Sequence, residues 1–148
     1  MSDRNVVVVR NNGTKPQCKR YLKTASTAFD KNSLVEFASG VMNPSDDNDT
    51  TVFGIILEEV ASTDSDYATT GSNGGKLIEV LRPGDEVEID WSGTVPTAGT
   101  SYGISTAYTV DQTDTTNKVI TCTKVVTNNT TTGRMRGVMK TFLGSNNL

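Results

Sequence analysis

Short apolar clusters separated by polar stretches recur along the whole chain. The clusters span four to nine residues and are rich in β-branched side chains, and glycine, proline and asparagine stand between them. No segment keeps the 3.6-residue period of an amphipathic helix beyond about one turn. This pattern predicts an all-β fold, a small β-barrel or sandwich.

The predicted strands follow from these clusters. Val52–Val60 is the most hydrophobic, and we interpret it as a buried strand because it is short and contains Gly54. Phe29–Met42 reads as short strands separated by a turn. The other predicted strands are Val6–Val9, Gln17–Thr24, Lys76–Leu81, Glu86–Trp91, Tyr102–Ala107, Lys118–Val126 and Arg134–Phe142.

A tight turn is predicted at Arg82–Asp85. Proline and glycine occupy its two central positions, as a type II turn requires, because proline presets φ and glycine supplies the positive φ. We expect this turn to join Lys76–Leu81 and Glu86–Trp91 into a hairpin. Strict alternation in the second strand should direct three side chains to the core, Val87, Ile89 and Trp91, near Leu77, Val80 or Leu81.

The N-terminal segment allows more than one arrangement. Val6–Val9 ends at Asn11-Asn12-Gly13, a turn sequence, and Gln17–Thr24 follows it. The two strands form either a hairpin or an extended arm, or Val6–Val9 is an internal strand of the barrel. We therefore divide the chain into an N-terminal arm or hairpin, 1–28, and a β-barrel domain, 29–148.

The composition argues against catalysis. The 148 residues include 23 threonines and no histidine, so the commonest general base and metal ligand is missing. Asp46–Asp49 resembles half of a calcium loop but lacks its glycine and its later glutamate, which favours a solvated loop. Cys18 and Cys122 fit neither a redox pair nor a zinc site, which favours two buried or inert thiols. We expect no enzyme and no catalytic, cofactor or metal site.

Charge is segregated along the sequence. Residues 1–28 have six bases and one acid, and residues 29–90 have fourteen acids and three bases. Either this asymmetry steers assembly with like subunits or a charged partner, or the charges are solvated in loops. No stretch is long and apolar enough for a membrane span, and the basic residues lack interleaved aromatic side chains. Neither membrane nor nucleic acid is an expected partner.

A weak internal echo is also present. Val52–Ile56 and Met135–Met139 both place two residues before a glycine, a β-branched residue and an apolar one. Chance explains this pattern better than duplication does, because no fixed repeat period supports a duplication.

Three segments together carry a family resemblance. Phe29–Glu36, the glycine-containing strand in Val52–Glu59, and Lys76–Asp90 with its Arg82–Asp85 turn follow an order that resembles head decoration (capsid cement) proteins of tailed bacteriophages. The likeness covers about 60 residues and a compatible β-rich final third.

The resemblance implies a structural protein of the virion. It implies binding to the assembled major capsid protein on the outer capsid surface, after synthesis in the host cytoplasm, as a homo-oligomer for which a trimer is the expected state. It also implies that an N-terminal arm docks on the shell or a neighbouring subunit. The candidate docking residues here are Arg4, Val6, Val7, Val8, Val9 and Arg10. Alternatives are a phage tail or fibre module, or a carbohydrate-binding β-sandwich.

Overall fold

The fold is all-β, as the sequence predicts. The computed structural model describes residues 6–10, 17–47, 52–69, 76–114 and 116–139, which contain eleven strands and no helix. The strands in chain order are β1 Val7–Arg10, β2 Gln17–Tyr21, β3 Ser33–Ala38, β4 Val41–Pro44, β5 Gly54–Ile56, β6 Lys76–Val80, β7 Glu86–Ser92, β8 Ser101–Thr106, β9 Thr109–Asp111, β10 Ile120–Asn128 and β11 Thr132–Met139.

Strands β7 to β11 form a closed barrel, which we call the C-terminal barrel. Its strand order is β7-β11-β10-β8-β9, and β9 returns to β7 through a parallel pairing that closes the circle. Alternation along β7 directs Val87, Ile89 and Trp91 into the barrel core, as predicted. Each of these side chains is at most 1% exposed. Closure leaves this sheet with little free edge.

Strands β2 to β6 form a second circle, the N-terminal ring, in the order β2-β6-β5-β3-β4. The chain just after β2 closes it by a parallel bridge between Lys23 and Met42. The amide of Met42 donates to the Leu22 carbonyl at 2.8 Å, and the amide of Thr24 donates to the Met42 carbonyl at 3.0 Å. A separate apolar core fills this ring.

The ring and the barrel share one topology. Replacing β2 to β6 by β7 to β11 in sequence order converts one strand order into the other, and every pairing keeps its direction. The parallel closures also agree in register, since Lys23 and Met42 are separated by the same 19 positions as Trp91 and Val110. The chain is therefore a tandem of two units with equivalent strand arrangements.

The similar sequence segments Val52–Ile56 and Met135–Met139 do not occupy equivalent strands of the two units. Val52–Ile56 contributes β5, and Met135–Met139 belongs to β11. In the shared topology β5 corresponds to β10, whereas β11 corresponds to β6. The echo therefore does not mark the repeat, which lies in the order of pairings and not in a repeated residue pattern.

The two units pack directly against each other. Leu34 and Ile55 belong to strands of the N-terminal ring, but their side chains join the core cluster of the C-terminal barrel. Their neighbours Val35 and Ile56 face the core of the ring. A backbone hydrogen bond of 2.7 Å from the Leu34 amide to the Ala107 carbonyl crosses the same boundary. Both faces of β5 and of the first half of β3 are consequently buried.

The predicted hairpin at Arg82–Asp85 is wrong, although its turn is present. Gly84 has φ of 92°, and the Asp85 amide donates to the Arg82 carbonyl at 3.0 Å. However, β6 pairs with β2 and β5, and β7 pairs with β11, β1 and β9. The turn connects the ring to the barrel because the partners of each strand come from more distant parts of the chain. Leu81 still joins the core of β7, whereas Val80 lies in the core of the ring.

Candidate assembly surface

Strand β1 lies on the C-terminal barrel and does not pair with β2. Val7 is opposite Glu88, Val8 is opposite Val87, and a register shift precedes Arg10 opposite Glu86. The hairpin of the first two strands is therefore not formed, because β2 pairs with β6. On the same edge of β7, Asp90 and Trp91 pair with β9, so the barrel is closed without β1.

The candidate docking residues of this segment have different environments. Val6 is 2% exposed, joins the barrel core and donates its amide to the Asn32 carbonyl at 2.8 Å. Val7 is 47% exposed, and Val8 and Val9 are half-buried. Arg4 and the side chain of Arg10 lie outside the described part of the structure. Val6 is therefore a core residue, while Val7, Val8 and Val9 remain candidates.

Beyond Cys122, β10 continues past its pairing with β8 and, among the described strands, pairs with β11 alone. Val126 in this part of β10 is 38% exposed. Sequence alternation predicts Val126 on the same face as Ile120 and Cys122, both buried, but two register shifts intervene. The shifts fall between Cys122 and Lys124 and between Val125 and Thr127, and such irregularities reorient the following side chains. The sequence carries no clear signal for them.

Opposite charges cover the outer face of β7 and β11. The Arg134 guanidinium contacts Glu88 at 3.2 Å and Asp90 at 2.9 Å, and Arg136 contacts Glu88 at 3.4 Å. Cross-strand registry aligns these residues, because Arg134 is opposite Asp90 and Arg136 is opposite Glu88. Glu88 and Asp90 of β7 are therefore neutralised within the chain on this face.

Each unit holds one buried polar side chain at its parallel closure. Lys23 is 0% exposed, and its ammonium donates to the carbonyls of Tyr67 at 3.1 Å and Thr69 at 2.7 Å. Trp91 donates its indole N–H to the Thr127 carbonyl at 3.2 Å. The acceptors differ in position, because Tyr67 and Thr69 lie in the connection from β5 to β6, whereas Thr127 belongs to strand β10. Lys23 therefore attaches a connection to the ring, and Trp91 links β7 to β10 across the barrel.

Three carboxylates meet where the connections after β4 and β9 approach each other. Asp47, Asp111 and Asp114 each place an oxygen within 4.8 Å of the others. Amides of Asn117 and Thr116 donate to Asp114, and these bonds lower the pKa of its carboxyl. The sequence drew attention to Asp47 alone, because its two neighbours here are more than sixty residues away.

Two other acids have pKa values that shift in opposite directions. Burial raises the pKa of the Glu79 carboxyl, and the nearby charge of Asp85 adds to this effect. A hydrogen bond from Lys76 lowers the pKa of Asp66, and its ammonium lies 3.1 Å from the carboxylate. The Asp66 pair attaches the β5–β6 connection to β6.

The two cysteines are both free but differ in exposure. Cys122 is buried in the barrel core, where burial raises the pKa of its thiol. Cys18 is exposed on β2, so of the two thiols expected to be buried or inert, only Cys122 is buried.

Comparisons with known proteins give no match. No family model, curated protein or solved structure matches the chain. Within the described ranges, no helix has the length and apolar character needed to cross a bilayer.

Proposed function

We propose that this chain is a capsid decoration protein, which binds the assembled shell of a tailed phage and stabilises it. It acts as a homo-oligomer, without chemistry, through strand-edge and charge contacts with neighbouring subunits and with the major capsid protein. The proposal has the resemblance of Phe29–Asp90 to this family as its starting point. Strand β1 supplies a surface to which a partner can bind.

The position of β1 is the observation that supports this role best. The strand is added to a barrel that closes without it, and only one of its two edges pairs with β7 in the described structure. Val7 on this strand is 47% exposed. An open strand edge with an apolar side chain suits strand addition by a partner.

Two closed circles packed on each other suit a bracing role. Closure leaves few exposed strand edges, and the shared core ties the two units together. Each contact with a shell subunit can be weak, because an oligomer that binds several subunits at once is retained through multivalency.

Aromatic exposure disfavours the carbohydrate-binding alternative. Sugar-binding modules stack pyranose rings on exposed aromatic side chains, and every aromatic side chain in the described ranges is buried or half-buried. Trp91, the single tryptophan, is 1% exposed.

Co-sedimentation with shells tests the proposal. The purified chain is mixed with emptied, expanded heads of the phage that carries its gene, and with unexpanded heads as the matched control. We expect saturable binding to the expanded heads at a stoichiometry set by capsid symmetry. Absence of binding, together with retention on a glycan surface, would favour the carbohydrate-binding alternative.

A further inference from the structure

Two strand edges of the C-terminal barrel are open. The outer edge of β1 has no partner among the described residues, because β1 pairs with β7 alone. On β10, strand β8 pairs only with Ile120 and Thr121, and the chain at Gly99 and Thr100 bonds to Cys122. From residue 123 to residue 128 the outer edge of β10 has no backbone partner in the described structure.

The exposed apolar side chains concentrate on these two edges. Three large hydrophobic side chains of the described ranges are exposed, and two of them, Val7 and Val126, lie on β1 and β10. The third, Leu22, follows β2, and its carbonyl accepts a hydrogen bond from Met42. Unpaired backbone groups and an exposed valine on one strand are features that proteins usually avoid at a free edge.

Comparison of the two units shows that the β10 edge is an addition. Its equivalent in the N-terminal ring, β5, has three residues, whereas β10 has nine. The connection after β5 is bonded to the ring through Lys23, whereas β10 continues into a hairpin with β11, and β11 stays paired with β7 along its length. The extra length of β10 therefore builds an edge that the shared topology does not need.

We propose that the β1 edge of one copy pairs with the β10 edge of a second copy. This inference builds on the proposed homo-oligomer and names its contact. Every copy has both edges, so each subunit binds one neighbour through β1 and another neighbour through β10. A head-to-tail contact of this kind either closes into a ring of subunits or extends as an open chain. A single type of contact then covers both exposed valines, which pairing of β10 with itself does not.

Charge and side-chain shape allow this pairing. The exposed end of β10 has one charged residue, Lys124, and β1 ends at Arg10. An antiparallel register with Val7 opposite Val126 sets Arg10 opposite Thr123, so the two bases are not directly opposed. Val8 then lies opposite Val125, which places β-branched residues together, as cross-strand pairs favour.

The test is the mass of the free chain in solution, measured by light scattering after size exclusion. The variants are Val7→Lys and Val126→Lys. Leu22→Lys is the control, because Leu22 is the third exposed hydrophobic side chain and lies outside the proposed contact. We expect the wild type and the control to be oligomers. Each valine variant should dissociate at least tenfold more readily, with circular dichroism confirming an unchanged β content.

Mixing the two variants gives the sharper result. The first variant keeps an intact β10 edge and the second keeps an intact β1 edge, so their equimolar mixture should form a dimer while each alone is a monomer. Val7→Thr and Val126→Thr replace them if a lysine variant fails to fold. A monomeric wild type, a Val7→Lys variant that assembles normally, or a mixture that stays monomeric would overturn the inference. This measurement uses the free chain without capsid shells. A negative result here would therefore overturn the contact between copies and would leave the test of shell binding unaffected.

Discussion

Lys23 and Trp91 occupy equivalent positions in two units that share one topology. Each makes a parallel bridge that closes its circle, and each donates a side-chain hydrogen bond to a backbone carbonyl of its own unit, Lys23 to the β5–β6 connection and Trp91 to Thr127 of β10. An ammonium in one unit and an indole in the other are therefore buried donors at the same position. Lys23 is the more demanding of the two, because a buried cation needs several acceptors to replace water.

Replacing Lys23 by methionine should therefore weaken the N-terminal ring. The change keeps the apolar stem but removes the ammonium that donates to the carbonyls of Tyr67 and Thr69, of which the Tyr67 carbonyl still accepts a bond from the Ser26 amide at 2.8 Å. We expect a loss of about 1–3 kcal/mol in the free energy of unfolding, with faster hydrogen exchange in residues 61–69. Lys31→Met, at an exposed lysine, is the control. Equal stability of the two variants would contradict the role assigned to Lys23.

The neighbouring valines at the start of β1 give a second prediction. Val6 lies in the core and Val7 is 47% exposed, so Val6→Ala should destabilise the chain by about 1.5–3 kcal/mol. Val7→Ala should change stability by less than about 0.5 kcal/mol. Denaturant unfolding measures both. Similar losses for the two variants would mean that β1 does not sit on β7 in the described register.

The difference between Val6 and Val7 shows what sequence alone leaves open. Four consecutive valines give no basis for ranking their burial, because exposure depends on the pairing of β1 with β7, far along the chain. The all-β class and most strand positions follow from local patterns. The partners of the strands do not, as the turn at Arg82–Asp85 shows, since proline and glycine set a local direction and not a long-range pairing.

The tandem topology was hidden for a related reason. Leu34 and Ile55 are buried because one unit packs on the other, so β3 and β5 lack the alternation of a strand with one solvated face. Equivalent positions also have unlike residues, as Lys23 and Trp91 do. Repetition of pairings can persist where repetition of residues cannot be seen.

Gly84 tests the turn between the two units. Its φ of 92° is left-handed, so Gly84→Val should destabilise the chain by about 1–3 kcal/mol through forced strain. Gly84→Asn should cost less, because asparagine tolerates this conformation better than a β-branched residue does. Thermal melting of both variants measures the order. Equal melting temperatures for valine, asparagine and wild type would contradict the turn.

The raised pKa of Glu79 leads us to expect that its contribution to folding stability changes with pH. Burial raises its pKa in the folded chain above the unfolded value, so between the two pKa values the folded state keeps a proton that the unfolded state has already lost. Its contribution is therefore most favourable at acidic pH and is lost as pH rises through the folded pKa. Glu79→Gln should stabilise the chain at neutral pH, and the gain should vanish in acid.

The control for this effect is Glu59→Gln, because Glu59 is exposed. Chemical denaturation of both variants at acidic and neutral pH gives the comparison. A destabilising effect of Glu79→Gln at neutral pH would show that the ionised carboxylate is a favourable part of the folded state.

A cryo-electron microscopy reconstruction of expanded heads incubated with the purified chain tests the decoration proposal most directly. We expect added density on the outer surface at symmetry-related positions, with a shape that accommodates the C-terminal barrel packed against the N-terminal ring. Heads whose outer surface is identical with and without the chain, at protein concentrations that saturate every subunit, would contradict it.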